Sequence, residues 1–522
     1  MGTAVRRDLK QILLIPAAVL LFAAAEIVMY SKFGAGTYFR FYSVMMLTAC
    51  ASVFLALRLS FRGTVPIQYI YLVMGIGFGL VFLFYIPIYM VPDEIVHVNT
   101  SYRISDLIMG IDPGSEDTLV MRACDDIQRK AYYTSPDEYA GYFKTMFLPA
   151  GDTSLIEVNA DYVKNYLDIM YIPSALGITL GRLLGLNGVL TFLMGRLMNL
   201  AVFVTATFFS IKIIPRGKFL LMGLALMPMT LQQASSFSYD WFVIGIAFLA
   251  FSEMVKLYGT VSHGGSAGTA DLIILAVCCL LLLPCKSGAY FPLAVLPLVY
   301  VIYRFLRKHP VLRKTVRWII IAALAAAIGY IVWRSFFATE KLVDEHLNQL
   351  PYTDRYGYYK YGYPVEYFIN NPGELIVILL RTVWVYFLDY CYTFVGGALG
   401  WMNVYLSKWL IVAYAVLLLL GLFYREDGSL VLTGRARAAM IITFFLSVFC
   451  VIGGLLLTWT PRTLDVAIGV QGRYFIPVAL PMLLAMKPNK KSFKKPGNEV
   501  LMTLECTVVL LLTADLMIFQ FS

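Results

Sequence analysis

Charge is what this 522-residue chain has least of. Only 14% of its residues are Asp, Glu, Lys or Arg, against roughly 25% in soluble domains, and that shortage excludes a soluble globule. Histidine is scarcer still, with 4 in the chain, which leaves little material for a His-rich metal centre. No Cys/His zinc spacing occurs either. Of the 8 cysteines, Cys50, Cys278, Cys279, Cys450 and Cys506 fall inside apolar runs and only Cys124 is clearly in a polar loop, so no disulfide framework is indicated. Walker, Rossmann and Gly-x-Ser-x-Gly signatures are absent, which argues against a nucleotide-driven pump or an α/β-hydrolase. No internal repeat of the kind found in many secondary transporters is visible.

What the chain has in abundance is apolar sequence, 60% of all residues. Runs approaching the ~20 residues a helix needs to cross a bilayer recur along its whole length. They stand at 11–30, 41–57, 68–91, 189–211, 219–234, 241–257, 271–285, 289–305, 318–335, 408–424, 438–459, 474–486 and 499–520. The fold class expected is an all-α integral membrane protein of about 13 transmembrane helices with a mostly helical outer loop domain. The organisation expected is a two-helix addition at 1–67, a core at 68–490 that includes outer loops 92–188 and 336–407, and a last helix at 491–522. The opening run follows Arg6, Arg7 and Lys10 but lacks a small-residue cleavage site, so it reads as a retained span.

The net charge of +10 reports topology and not nucleic-acid binding. Alternating the runs from a cytoplasmic N-terminus places 23 Lys and Arg in the inner segments and five, Lys32, Arg40, Lys286, Arg462 and Arg473, in the short outer ones. Lys and Arg are retained on the cytoplasmic side, so this asymmetry sets the orientation. Two apolar stretches would break the alternation if they crossed once. The segment 169–187 reads as an interfacial or re-entrant helix on the outer face. The segment 374–403 must cross an even number of times, and Gly396, Gly397 and Gly400 would interrupt a long helix there.

Outer loop 92–188 carries 14 Asp and Glu against 7 Lys and Arg. It opens with IPIYMVPDEIVH, where Pro92 suits a first helical turn. A helix from there brings Asp93, Glu94 and His97 to one region. One carboxylate could act as general base on a hydroxyl while the other binds a divalent cation; the alternative is a solvated helix cap with an incidental histidine. Other polar residues stand at the same face. The 219–234 and 241–257 runs are joined through SSFSYDW, with Tyr239 and Asp240. The next pair is joined through PCKSGAYF, whose Lys286 is isolated in an apolar stretch. The 438–459 and 474–486 runs are joined through a segment ending GVQGRYF, with Gln471, Arg473 and Tyr474. A lone Lys is costly there unless it snorkels or has an anionic partner, and an Arg fork suits phosphate oxygens. Seven tyrosines in PYTDRYGYYKYGYPVEYF fit either sugar stacking or a membrane-interface belt. Ion translocation would favour ionisable groups at mid-span, and the exceptions of that kind are few: Arg196 and Asn199, Glu253 and Asp515.

VPDEIVH, MPMTLQQASSFSYD, the Lys286 turn, GGALGWMN and GVQGRYFIP, in that order between about residues 70 and 490, resemble an uncharacterised family of bacterial multi-pass membrane proteins known as a domain of unknown function. That family in turn looks like a branch of the GT-C superfamily of integral-membrane glycosyltransferases, which carry an acidic motif at the start of the first large outer loop and then a juxtamembrane helix. The resemblance implies a GT-C-like fold in the bacterial cytoplasmic membrane. It also implies transfer of a sugar, on the outer face, from a polyprenyl-phosphate or polyprenyl-diphosphate donor to a cell-envelope glycan or lipid-linked acceptor. It makes Asp93 the catalytic base, with Glu94 assisting or holding a divalent cation, Mg or Mn, alongside it. It places the lipid phosphate on Lys286 and Arg473, and sugar or acceptor on Asp240 and Gln471. His97, Tyr239 and Tyr474 are counted with these as substrate-contacting residues. The competing reading is a transporter or flippase of the same lipid-linked saccharides, with the cations as headgroup guides.

Overall fold

The structure is a computed structural model describing residues 23–24, 27–28, 31, 37–115, 117–127, 136–162, 168–334, 362–363, 365–426, 430–461, 464–490, 492–493 and 495–519. Most of the first expected span, Lys32, Arg462 and most of the tyrosine-rich run lie outside the described residues. The rest is helical apart from two two-stranded ribbons. Among the described residues, the first elements with defined bounds are α1 (Thr37–Arg62) and α2 (Ile67–Tyr85). The chain then builds the loop domain from α3 (Glu94–Met109), β1 (Thr118–Arg122), α4 (Pro136–Thr145), β2 (Leu155–Asn159) and α5 (Ile172–Leu183). The bundle continues through α6 (Gly188–Ile213), α7 (Lys218–Leu226), α8 (Pro228–Ala234), α9 (Asp240–Ser262), α10 (Thr269–Leu282), α11 (Phe291–Lys308) and α12 (Pro310–Val332). It closes with α13 (Val365–Asn370), α14 (Pro372–Val395), α15 (Lys408–Gly421), α16 (Gly434–Thr458), α17 (Ile476–Met486) and α18 (Lys495–Phe519).

Among the described residues, 8 helices are long and apolar enough to cross a membrane, while α10, α15 and α17 are apolar but shorter. The described helices are thus a mixture of full-length and short ones. The 219–234 run shows why. It is buried along its length and folds as α7 and α8, broken at Met227-Pro228. Pro228 has no N–H for the ladder. Thr230 Oγ1 donates to the Leu224 carbonyl at 2.7 Å across the break, which supplies a partner where no water would.

The loop domain stands on α6 through a stripe of small residues. A Cβ on Gly177 of α5 would lie 2.3 Å from the Met194 carbonyl oxygen of α6, so only glycine permits this approach. On its other side α5 meets α3 through hydroxyl pairs, Ser101 with Ser174 and Ser105 with Thr179, each at 2.8 Å. A buried Arg182–Asp106 ion pair at 2.7 Å adds to them. β1 and β2 pair antiparallel with Val120 opposite Glu157, and Arg122 forks onto Asp125 beside them. The expected helix at 169–187 is thus present, and its anchorage is to the loop domain and to one flank of α6.

The 374–403 region holds one long helix, α14, which is long and apolar enough to span and is bonded at its middle and near its end to the linker between α16 and α17. Just ahead of it, Tyr363 N–H donates to Leu456 O at 3.1 Å. In its middle Thr382 Oγ1 accepts from Ala467 N–H at 2.8 Å, and near its end Thr393 Oγ1 accepts from Gly472 N–H at 2.9 Å. The glycines do not interrupt the helix but terminate it, Gly396 taking the left-handed C-cap at φ 116.

Candidate functional site

Three connections meet at the α14 end of the bundle: the α2–α3 turn, the α8–α9 turn and the α10–α11 turn. They are joined there by the short helical turn Gly472–Phe475 that leads into α17. Asp240, only 5% exposed, is the first residue of α9 and sits between two cations. Lys286 Nζ lies 2.8 Å from its Oδ1, and Arg473 Nε lies 3.5 Å from its Oδ2. The ammonium also rests 4.5 Å from the ring centres of both Tyr239 and Tyr474, in the geometry of a cation–π contact. Burial works against a charged Lys286, but Asp240 and then Tyr474 outweigh it and hold the pKa above the ordinary lysine value. Tyr290 donates from its hydroxyl to the Tyr474 carbonyl at 2.8 Å, tying the α10–α11 turn to the Arg473 turn.

The backbone that presents these groups is unusual. Among the described residues, the non-glycine positions with positive φ are Tyr89, Asp93, Lys286, Ser287 and Met402. Lys286 (φ 50, ψ 46) and Ser287 (φ 54, ψ 36) are consecutive, and such left-handed residues cost about 1–3 kcal/mol each. Asp93 (φ 59) caps α3 without using its side chain on the helix. That side chain is exposed, and its charge bears on Arg473. Close approach fixes the Arg473 turn as well, because a Cβ on Gly472 would lie 2.2 Å from the Tyr390 carbonyl oxygen.

His97 closes the cluster from the α3 side. Its Nδ1 is 2.9 Å from the Tyr171 hydroxyl, its ring stacks on Tyr171, and Tyr239 meets it edge-on at 5.3 Å. Burial first, then Lys286 and Arg473 against the opposing pull of Asp240, push its pKa down from 6.5 to about 3. A depressed histidine pKa means that the folded state prefers the neutral ring. Its contribution to stability is present above about pH 6.5 and is lost as pH falls toward about 3. The thermal midpoint of the wild type is expected to fall across that window more steeply than that of His97→Gln; parallel curves would show that His97 is not the group responsible.

Glu94 has a place different from the one expected beside the base. It is 0% exposed, and its carboxylate accepts from Arg196 Nε at 2.8 Å and Nη2 at 2.6 Å. It also accepts from the backbone N–H groups of Tyr89 at 2.8 Å and Phe237 at 3.0 Å. Arg196 spends its remaining donors on the carbonyls of Ile86 and Pro87. With both oxygens engaged, Glu94 does not offer a cation the ligand foreseen for it, and among the described residues no group of three or more His, Cys, Asp or Glu is placed to hold a metal. The pair locks the turn that carries Asp93 to the turn that carries Tyr239 and Asp240.

The structure therefore brings Asp93, His97, Tyr239, Asp240, Lys286, Arg473 and Tyr474 to one place. Gln471, half-buried, leads into the Arg473 turn and accepts the Tyr474 N–H through its carbonyl at 3.1 Å. Tyr171, Tyr290 and the role of Arg196 were not foreseen. A charged residue alone in the α6 run was the available signal for Arg196, since it demands a buried partner. Nothing in the sequence singled out the two tyrosines. The other mid-span exceptions have structural partners. Asn199 Nδ2 donates to Ser236 O at 2.9 Å, Glu253 lies 3.4 Å from Lys256, and Asp515 accepts from Ser407 N–H at 2.6 Å.

Fold and site together define an all-α, multi-pass membrane protein with a charged cluster assembled from the connections at one end. Residues 76–482 match the family described as predicted membrane protein (DUF2142), which is most of the chain, and the chain belongs to that family. The match leaves α1 and α18 outside it. No curated protein and no solved structure shows significant similarity to the chain.

Proposed function

We propose that the protein is a glycosyltransferase that takes a sugar from a polyprenyl-(di)phosphate donor and passes it to a cell-envelope glycan or lipid-linked acceptor. The proposed setting is the outer face of a bacterial cytoplasmic membrane. The observation that carries this reading is the convergence of Lys286 and Arg473 on the single carboxylate of Asp240, with exposed Asp93 alongside. Two fixed cations against one buried carboxylate favour an anion, and a membrane-end location favours one attached to lipid.

In the reaction proposed, the acceptor hydroxyl oxygen bonds to the anomeric carbon as its proton passes to the Asp93 carboxylate. The bond from that carbon to the phosphate oxygen breaks at the same time. The electron pair leaves with the lipid phosphate, whose added charge Lys286 and Arg473 stabilise. Direct displacement inverts the anomeric centre. No step is routed through a divalent cation, because Glu94 is committed to Arg196.

The test is to give purified protein a short-chain polyprenyl-phosphate sugar with and without acceptor and to measure the lipid phosphate set free. Acceptor-dependent release is expected, falling about 10²–10⁴-fold in Asp93→Asn, the range for removal of a general base. Unchanged release in that variant would overturn the assignment of the base. Binding of the donor with no release in the wild type would favour a flippase.

A further inference from the structure

At the end of the bundle opposite this site lies a cavity of about 760 Å³, lined by the last turns of α9, the second half of α11 and the first turns of α16. α9 starts at Asp240 and lines the cavity from Met254 to Ser262, which puts the cavity roughly 20–35 Å from the charged cluster at ~1.5 Å per residue. Its inner wall is apolar, formed by Val255, Leu296 and Met440, all buried. Its rim is cationic: Arg304, Arg307 and Arg435 line it and are exposed. Among the described residues no Asp or Glu lines it. Arg435 Nη1 donates to the Tyr303 hydroxyl at 2.9 Å, and the Tyr258 and Thr433 hydroxyls stand 3.4 Å apart beside them.

This is the end where the inner-segment Lys and Arg gather, so the charge rule assigns it to the cytoplasmic side. On the outside of α11, Leu298, Val301, Ile302 and Phe305 are exposed, so the apolar wall continues into a surface suited to acyl chains. A soluble anion would use the rim but not the wall, and a neutral amphiphile the wall but not the rim. We infer that this cavity binds an anionic glycerophospholipid of the cytoplasmic leaflet, its phosphate on Arg304, Arg307 and Arg435 and one acyl chain against Val255, Leu296 and Met440. Basic pockets between transmembrane helices on that side bind anionic headgroups through the same combination. The inference rests on the charge-derived orientation and is independent of the proposed transfer reaction.

The experiment measures retention of phosphatidylglycerol and phosphatidylcholine by the purified full chain, using native mass spectrometry. Wild type is expected to retain phosphatidylglycerol preferentially. Arg304→Gln/Arg307→Gln/Arg435→Gln is expected to lose that preference by at least about tenfold, from ~1 kcal/mol for each basic group near a headgroup. Val299→Trp, which narrows the cavity with every arginine in place, is expected to lose it too. Arg313→Gln/Lys314→Gln, exposed nearby but outside the cavity, is expected to keep it. Equal retention of the two lipids by wild type would overturn the inference. So would preference kept in the triple variant or in Val299→Trp, equal loss in the Arg313/Lys314 control, or full displacement by glycerol phosphate at matched concentration.

Discussion

Glu94→Ala is expected to lower stability by about 3–5 kcal/mol, because it strands a fully buried guanidinium. It is also expected to abolish the proposed sugar transfer. Arg196 is 0% exposed and would face the vacated site with no water and no counter-charge. The N–H groups of Tyr89 and Phe237 would lose their acceptor at the same time. Replacing a buried ion pair by apolar residues of similar volume is often harmless, but here the pair is stitched into the backbone. Glu94→Leu/Arg196→Met would leave those two donors and the carbonyls of Ile86 and Pro87 without partners, at about 1–3 kcal/mol for each group left unsatisfied. The double variant is therefore expected to recover little of the loss. Thermal unfolding of the purified variants measures the effect, and a double variant as stable as wild type would show that the pair holds nothing in place.

Lys286→Met is expected to slow the proposed transfer by about 10²–10³-fold, the usual consequence of removing one preorganised group from a developing anion. The loss should fall on kcat more than on KM, because in the proposed reaction the phosphate gains charge as the bond to the anomeric carbon breaks. Arg473→Gln should behave similarly. The two losses should not add, since Lys286 and Arg473 share Asp240 and act as one unit. Lys286→Met retains most of the side-chain volume between the Tyr239 and Tyr474 rings, so the change isolates the charge. Release of lipid phosphate at the wild-type rate in both variants would separate these cations from the leaving group.

The helices and the residues of the cluster were legible in the sequence because each obeys a local rule. An apolar run needs a helix in lipid, and a lone Lys or Arg at the edge of such a run needs an anion. Asp240, Lys286 and Arg473 were each conspicuous on those grounds, and the structure pairs them. The separate placement of Glu94 from its sequence neighbour Asp93 was not legible. The left-handed turn at Asp93 sends one side chain out while the next is sealed against α6. Which of two adjacent carboxylates faces inward depends on backbone torsion and on a partner 102 positions away, and neither leaves a local mark. Helix lengths were less legible for a related reason: hydropathy registers that a segment is apolar but not whether it is one straight helix or, as at Met227-Pro228, a broken pair.

The order of the cluster's parts along the chain sets a timetable for synthesis. Asp93 emerges early, Asp240 and Lys286 near the middle, and Arg473 only after α16 has been made. Until then the Arg473 side of Asp240 has no cation, and α14, made beforehand, waits for the linker that will hold its length. A ribosome that stalls between α16 and the Gly472–Phe475 turn therefore leaves a chain whose Asp240 has Lys286, but not yet Arg473, to pair with.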